Sequence, residues 1–105
     1  NQKKKKTLRT MSKPRAYTEE TLSIIARFFQ TIDFLVSAKL MRGKATYCRL
    51  NNIDRRNFDA QSKNHSLGFF QVSWLLGLIN DFRISAEWLM TGKGDMFKKD
   101  KSIVK

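Results

Sequence analysis

From Leu22 onward, apolar side chains recur at alternating spacings of three and four through Ile25, Phe29, Ile32 and Val36, which marks one face of an α-helix. Ile24, Phe28 and Leu35 lay a second stripe beside the first, so this helix is apolar over a wide arc and packs against several partners. Thr18 is placed as its N-cap, with Glu19 and Glu20 in the first turn where the positive helix end favours acids. Tyr17 and Leu22 are spaced for a hydrophobic staple. The pattern fades across Ser37 to Lys39 and breaks at Arg42-Gly43. Lys44 to Lys63 reads as two short helices joined by a tight turn, with Ile53 as a lone apolar anchor in the turn and Phe58 plugging the second helix into the core. After a polar loop from Asn64 to Gly68, a fourth helix is predicted from about Gly68 to Asp81. Its first face is Phe69, Val72, Leu75, Leu76 and Ile79; its second is Phe70, Trp74 and Leu78. Ser85 caps a short last helix, AEWLMTG, in which Trp88, Leu89 and Met90 are expected to point inward and Gly92 and Gly94 to supply left-handed geometry at the end. No stretch reads as a strand and no repeat is present. The expectation is an all-α, compact five-helix bundle spanning 18–92, between a basic flexible arm at 1–17 and a basic C-terminal tail at 93–105.

The two short helices carry the chemistry. Asn51 and Asn52 suit turn or left-handed geometry, and Asp54 is a good N-cap, placing Arg55, Arg56 and Asn57 in the first turn of the helix that follows. This is the layout of a helix-turn-helix whose second helix presents its N-terminal residues to base edges. Phe58 must face inward, which keeps the two arginines off the core. An arginine there can reach O6 and N7 of guanine with two hydrogen bonds, and Asn57 could pair with adenine. Lys44 and Lys63, flanking the hairpin, are more naturally phosphate clamps, because a flexible ammonium fixes register without reading sequence. Arg42 and Arg49 belong to the same phosphate-facing set. The bland alternatives are a solvated helical hairpin, or arginines that bind phosphates only.

Charge sharpens this picture. The 105 residues carry a net charge of +12, which points to a polyanionic partner. Residues 39–63 hold seven lysines and arginines against two aspartates, and residues 1–15 hold seven against none. The remaining body between the hairpin and the tails is mildly acidic. Lys3, Lys4, Lys5 and Lys6 therefore read either as an arm that lies along DNA and contacts phosphates or as a passive solubilising tail.

Other chemistries find little to work with. Cys48 is the single cysteine and His65 the single histidine, so no intramolecular disulfide is possible, a reducing compartment fits, and a zinc site is not expected. Cys48 lies in an amphipathic helix and reads as buried and inert. GKGD at Gly92 lacks the context of a phosphate loop, and no Ser, His and Asp fall in a recognisable order. Asp54 and Asp59 lack a third ligand for a nuclease metal. No enzyme activity, cofactor, metal or small-molecule ligand is expected. Membrane partners are not expected either: no apolar run approaches transmembrane length, the N-terminus has no signal-like segment, and the most basic segment lacks apolar residues.

From Thr18 to Phe97 the chain resembles the phage-repressor or Xre type of helix-turn-helix domain, also called lambda-repressor-like. The most specific piece is ISAEWLMTGKGDMF, Ile84 to Phe97, which is similar to the Val-Ser-x-x-Trp-Leu-Leu-Thr-Gly-x-Gly pattern that closes such domains. The hairpin matches in length without a gap. In that likeness Cys48 takes the place of a small helix-packing residue, Phe58 a buried aliphatic one, Lys44 a polar residue that buttresses or touches DNA, and Arg55 and Arg56 the base-reading positions. The basic arm before the first helix is also similar to arms of phage repressors. Departures fall at Asn51, where the family has an apolar residue, at Asn52, where it has the turn glycine, and at Gln61, where it has a second apolar anchor. With Leu50 beside Asn51, the register of the second helix is open by one residue.

The resemblance and the charge together imply a sequence-specific double-stranded DNA-binding protein, a repressor-like transcriptional regulator of a phage or mobile element, acting in the bacterial cytoplasm on the nucleoid. An accessory DNA-binding protein of recombination or excision, or a protein-interaction adaptor on the same fold, are the alternatives. Phe70, Trp74 and Leu78 lie on one line and are a candidate homodimer interface, which would set two recognition helices about 34 Å apart; the alternative for that stripe is the core itself.

Overall fold

Three helices begin on side chains that the sequence marks as caps, and the computed structural model, which describes residues 17–99, makes each capping bond. Thr18 accepts from the Thr21 amide at 3.2 Å to open α1, Glu19–Ser37. Asp54 accepts from the Asn57 amide at 2.9 Å to open α3, Arg55–Lys63. Ser85 accepts from the Trp88 amide at 3.1 Å to open α5, Ala86–Thr91. Such caps contribute about 1 kcal/mol each. Between them, α2 spans Lys44–Leu50 and α4 spans Leu76–Asp81, the latter continuing directly from a 3-10 helix at Val72–Leu75. The chain is all-α: among the described residues no strand forms, and extended pairing is limited to one isolated bridge between Ile84 and Phe97.

The core gathers on α1. Ile25, Phe28, Phe29, Ile32 and Leu35 are buried, a single face that takes the middle of the two stripes expected from the sequence. Phe28 is the hub. Its ring lies within 4.9–6.1 Å, centroid to centroid, of Phe29, Tyr47, Phe58, Phe70 and Trp74, so α2, α3 and the segment that leads into α4 each send an aromatic residue against it. Edge-to-face pairs of this kind add to ordinary burial.

α1 and α2 end the same way. Lys39 and Asn52 take left-handed backbone, φ 64° and 58°. The next amide in each case, Leu40 and Ile53, reaches back five residues to the carbonyls of Leu35 and Cys48, both at 2.9 Å. This closure satisfies carbonyls that a helix end leaves open. Asn tolerates the left-handed state better than most side chains, which is how Asn52 stands in for a glycine.

The stretch from Asn64 to Gln71 departs from expectation. The fourth helix starts near Val72 rather than Gly68, because the buried Gln61 side chain captures the preceding loop. Its amide nitrogen donates to the carbonyls of His65 and Leu67 at 2.7 and 2.6 Å, and its oxygen accepts from the amides of Phe69 and Phe70 at 2.9 and 3.0 Å. A fully buried glutamine is thus fully bonded, as burial of an amide requires. With the start delayed, the core draws on both expected faces of the fourth helix. Trp74, Leu75 and Leu78 are core, Phe70 packs against it, and Phe69, Val72 and Leu76 are exposed.

Tyr47 ties α2 to this region. Its hydroxyl donates a short hydrogen bond to the Trp74 carbonyl and accepts from the Leu78 amide at 3.0 Å. α5 is held by α1: Arg27 donates from Nε to the Leu89 carbonyl at 2.9 Å and from Nη2 to the Met90 carbonyl at 3.1 Å, neutralising the negative end of a six-residue helix. Leu89 is buried and Trp88 partly so, but Met90 is exposed, against the expectation that it points inward. The start of the supposed tail also folds back. The Ser85 amide donates to the Met96 carbonyl and the Lys98 amide to the Arg83 carbonyl, both at 2.7 Å. No helix of the described residues is long and apolar enough to cross a membrane.

Candidate nucleic-acid interface

The helix pair expected to carry the chemistry forms with the expected boundaries. α2 and α3 pack together around the Asn52 turn, and α3 is fixed from beneath by two buried side chains, Phe58 and Gln61. These lie three apart on one side of the helix, so Arg55, Arg56 and Lys63 project outward, and all three are exposed. Arg56 and Lys63, seven residues apart, share a face. Asn57 is half-buried at the capped end, with its backbone amide on Asp54.

The cations differ in what already holds them. Arg55 donates from Nε to both oxygens of Asp59, at 3.0 and 3.2 Å, one turn along the same helix. Lys44 reaches Asp33 on α1 at 3.4 Å. The side chains of Arg42, Arg49, Arg56 and Lys63 make no hydrogen bond or ion pair with another described residue. Lys3, Lys4, Lys5 and Lys6 lie outside the described residues, as do the rest of the arm before Tyr17 and the chain beyond Lys99.

In α2, the first helix of the pair, the inward position at the C-terminal end is settled. Asn51 turns inward and donates from Nδ2 to the Tyr47 carbonyl at 2.9 Å, while Leu50 is 64% exposed. The one-residue ambiguity at Leu50-Asn51 is thereby resolved in favour of Asn51 as the inward position. Cys48 is buried on the same helix, and burial pushes its thiol up to about 11, so it is a poor nucleophile at neutral pH. Burial likewise raises the Tyr47 phenol above its ordinary range.

A groove of about 230 Å³ opens at the start of α3, with Asn52, Asp54, Asn57, Gln71 and Ser73 on its rim and Trp74 at its floor. Gln71 and Ser73 were not singled out from the sequence. They come from the segment that Gln61 organises, and only knowledge of that loop brings them beside Asn57. Among the described residues, no group of three or more His, Cys, Asp or Glu could hold a metal ion.

The stripe Phe70, Trp74 and Leu78 is not a surface. Trp74 is 5% exposed and Leu78 fully buried, and Phe70 packs on Phe28 and Trp74. Of the two readings of this stripe, the candidate homodimer interface is corrected to core: the Phe70 and Trp74 rings pack against Phe28 of α1, and Trp74 also against Phe58 of α3. Exposed apolar side chains gather elsewhere: Leu40 and Phe97 line a shallow cavity of about 340 Å³ with Leu35 and Phe82, and the exposed Phe34 ring lies against Phe97.

No protein-family model matches the chain, and no curated protein or solved structure matches it.

Proposed function

We propose that the chain is a sequence-specific double-stranded DNA-binding protein that seats the N-terminal half of α3 in the major groove, acting as a repressor-like regulator of a phage or mobile element in the bacterial cytoplasm. The observation that carries this reading is the way α3 is mounted. Asp54 caps it, Phe58 and Gln61 anchor it, and Arg55 and Arg56 are left exposed on its first turn, within a stretch whose seven cations face two acids. That combination presents guanidinium groups to base edges from a rigid element. Arg42, Arg49 and Lys63, with no partners among the described residues, supply the phosphate contacts, and Lys44 joins them once it leaves Asp33. The likeness of Ile84 to Phe97 to the closing segment of lambda-repressor-like domains supports the same reading. An accessory role in recombination or excision would use the same contacts.

Selection from a pool of random duplexes, followed by binding titrations at several salt concentrations, tests it. A shared motif should emerge, and affinity should fall with a log–log slope of about −5 or steeper, for roughly six neutralised phosphates. A flat salt response with no motif refutes it. That outcome would favour the second reading, an adaptor that binds protein, whose support is the exposed set Phe34, Leu40 and Phe97.

A further inference from the structure

The Arg55–Asp59 pair is more than a surface ion pair on this reading of the function, on which the following rests. Asp59 lies on the same outward side of α3 as Arg55, half-exposed, and both of its oxygens fall within hydrogen-bond distance of a single nitrogen, Nε. The two terminal amino groups of Arg55 therefore keep all four of their N–H bonds available. A free arginine spreads over many rotamers, and ordering it on binding costs affinity. A guanidinium held at Nε has its plane and its end-on fork set beforehand, and that fork matches the O6 and N7 acceptors of guanine.

Asp59 also has a cost. It is one of only two acids among the residues 39–63, and any docking that brings Arg55 to the bases carries this carboxylate towards the phosphates. As a mere helix-surface pair it would stabilise α3 only weakly.

We propose that Asp59 is a specificity-determining positioning residue: it holds Arg55 by Nε so that the terminal fork reads one guanine, trading general affinity for discrimination.

The experiment is a double-mutant cycle on base preference, using the full chain, the selected duplex and its variants at one base pair, and random-sequence DNA. The variants are Asp59→Asn, Arg55→Ala and both together, each checked for an unchanged helical spectrum and melting temperature. Arg55→Ala should abolish preference at one guanine. Asp59→Asn should tighten binding to random DNA while lowering preference at that same guanine roughly three- to tenfold, and the double variant should match Arg55→Ala in preference. If Asp59→Asn leaves that preference intact, or changes it at a different base pair because the carboxylate reads a base itself, the proposal is wrong while the DNA-binding reading stands. A wild type that selects no duplex overturns both.

Discussion

Asn51 occupies the space that a side chain on Gly77 would need. A Cβ built on Gly77 would lie 2.5 Å from Asn51 Oδ1 and 2.6 Å from Nδ2. The contact joins the end of α2 to the second residue of α4, and the asparagine is itself held by its bond to the Tyr47 carbonyl. Gly77→Ala should therefore destabilise the chain by about 1–2 kcal/mol, because the clash and the lost hydrogen bond outweigh the better helix propensity of alanine. In the Asn51→Ala background the same change should become neutral or stabilising. A thermodynamic cycle from urea unfolding measures the coupling, expected at about 1–2 kcal/mol.

Gln61 is the second stability determinant. Gln61→Leu preserves much of the volume but strips partners from two carbonyls and two amides in the 65–70 loop. A loss of about 2–4 kcal/mol is expected, limited by water reaching the loop once it opens. Hydrogen exchange should localise the damage, with the Phe69 and Phe70 amides exchanging fast while those of α1 keep their relative protection.

Alkali should unfold the chain earlier than its charge alone would dictate. Cys48 and Tyr47 both hold their protons more tightly in the folded chain than their ordinary values allow. In the range where only the unfolded chain has lost these protons, the unfolded state binds fewer, so stability falls as pH rises. The contribution is complete below pH 9, is lost for Cys48 as pH climbs through about 11, and is lost for Tyr47 above that. Melting temperatures measured from pH 8 to 11 should fall. Cys48→Ala should flatten the lower part of that decline at a neutral-pH cost of about 1 kcal/mol. Tyr47→Phe should cost about 1–3 kcal/mol at pH 7, since the Trp74 carbonyl and the Leu78 amide lose their shared partner.

On DNA, the cations of the helix pair should separate by role. Arg56→Ala should relax preference at one base pair by about 1–3 kcal/mol. Lys63→Ala should weaken all duplexes about equally and reduce the salt slope by about 1. Lys44→Ala should cost less than Lys63→Ala, because Lys44 gives up Asp33 to reach a phosphate. Filter binding against the selected duplex and its point variants reads all three.

Local chemistry made much of this legible. Thr18, Asp54 and Ser85 announce helix starts because a cap needs only its own side chain and an amide three residues on. Phe58 and the outward arginines follow once Asp54 is placed. The loop between α3 and α4 was illegible for the opposite reason. Gln61 reads as a polar interruption of an apolar face, and nothing in its spacing says that it will bond four backbone groups up to nine residues away. That hidden loop delayed the start of the fourth helix and concealed Gln71 and Ser73. Spacing likewise put Phe70, Trp74 and Leu78 on a line without saying which side of the line faced α1. Asn52 could be read as a turn residue, but only its backbone angle distinguishes a substitute for glycine from a side-chain cap.

The reach of Arg27 has a consequence for how the chain comes together in time. Six residues are too few for α5 to persist alone, and the guanidinium that closes its last turn belongs to a segment 62 residues earlier. On a ribosome α1 emerges long before that turn exists, and it must wait, with Arg27 in solvent, until the rest of the body has been made. The earlier helices can collapse around Phe28 in the interval, while α5 has nothing to fold against until the loop back to α1 is closed. Assembly of this domain is thus a latch set by its first helix and thrown by its last.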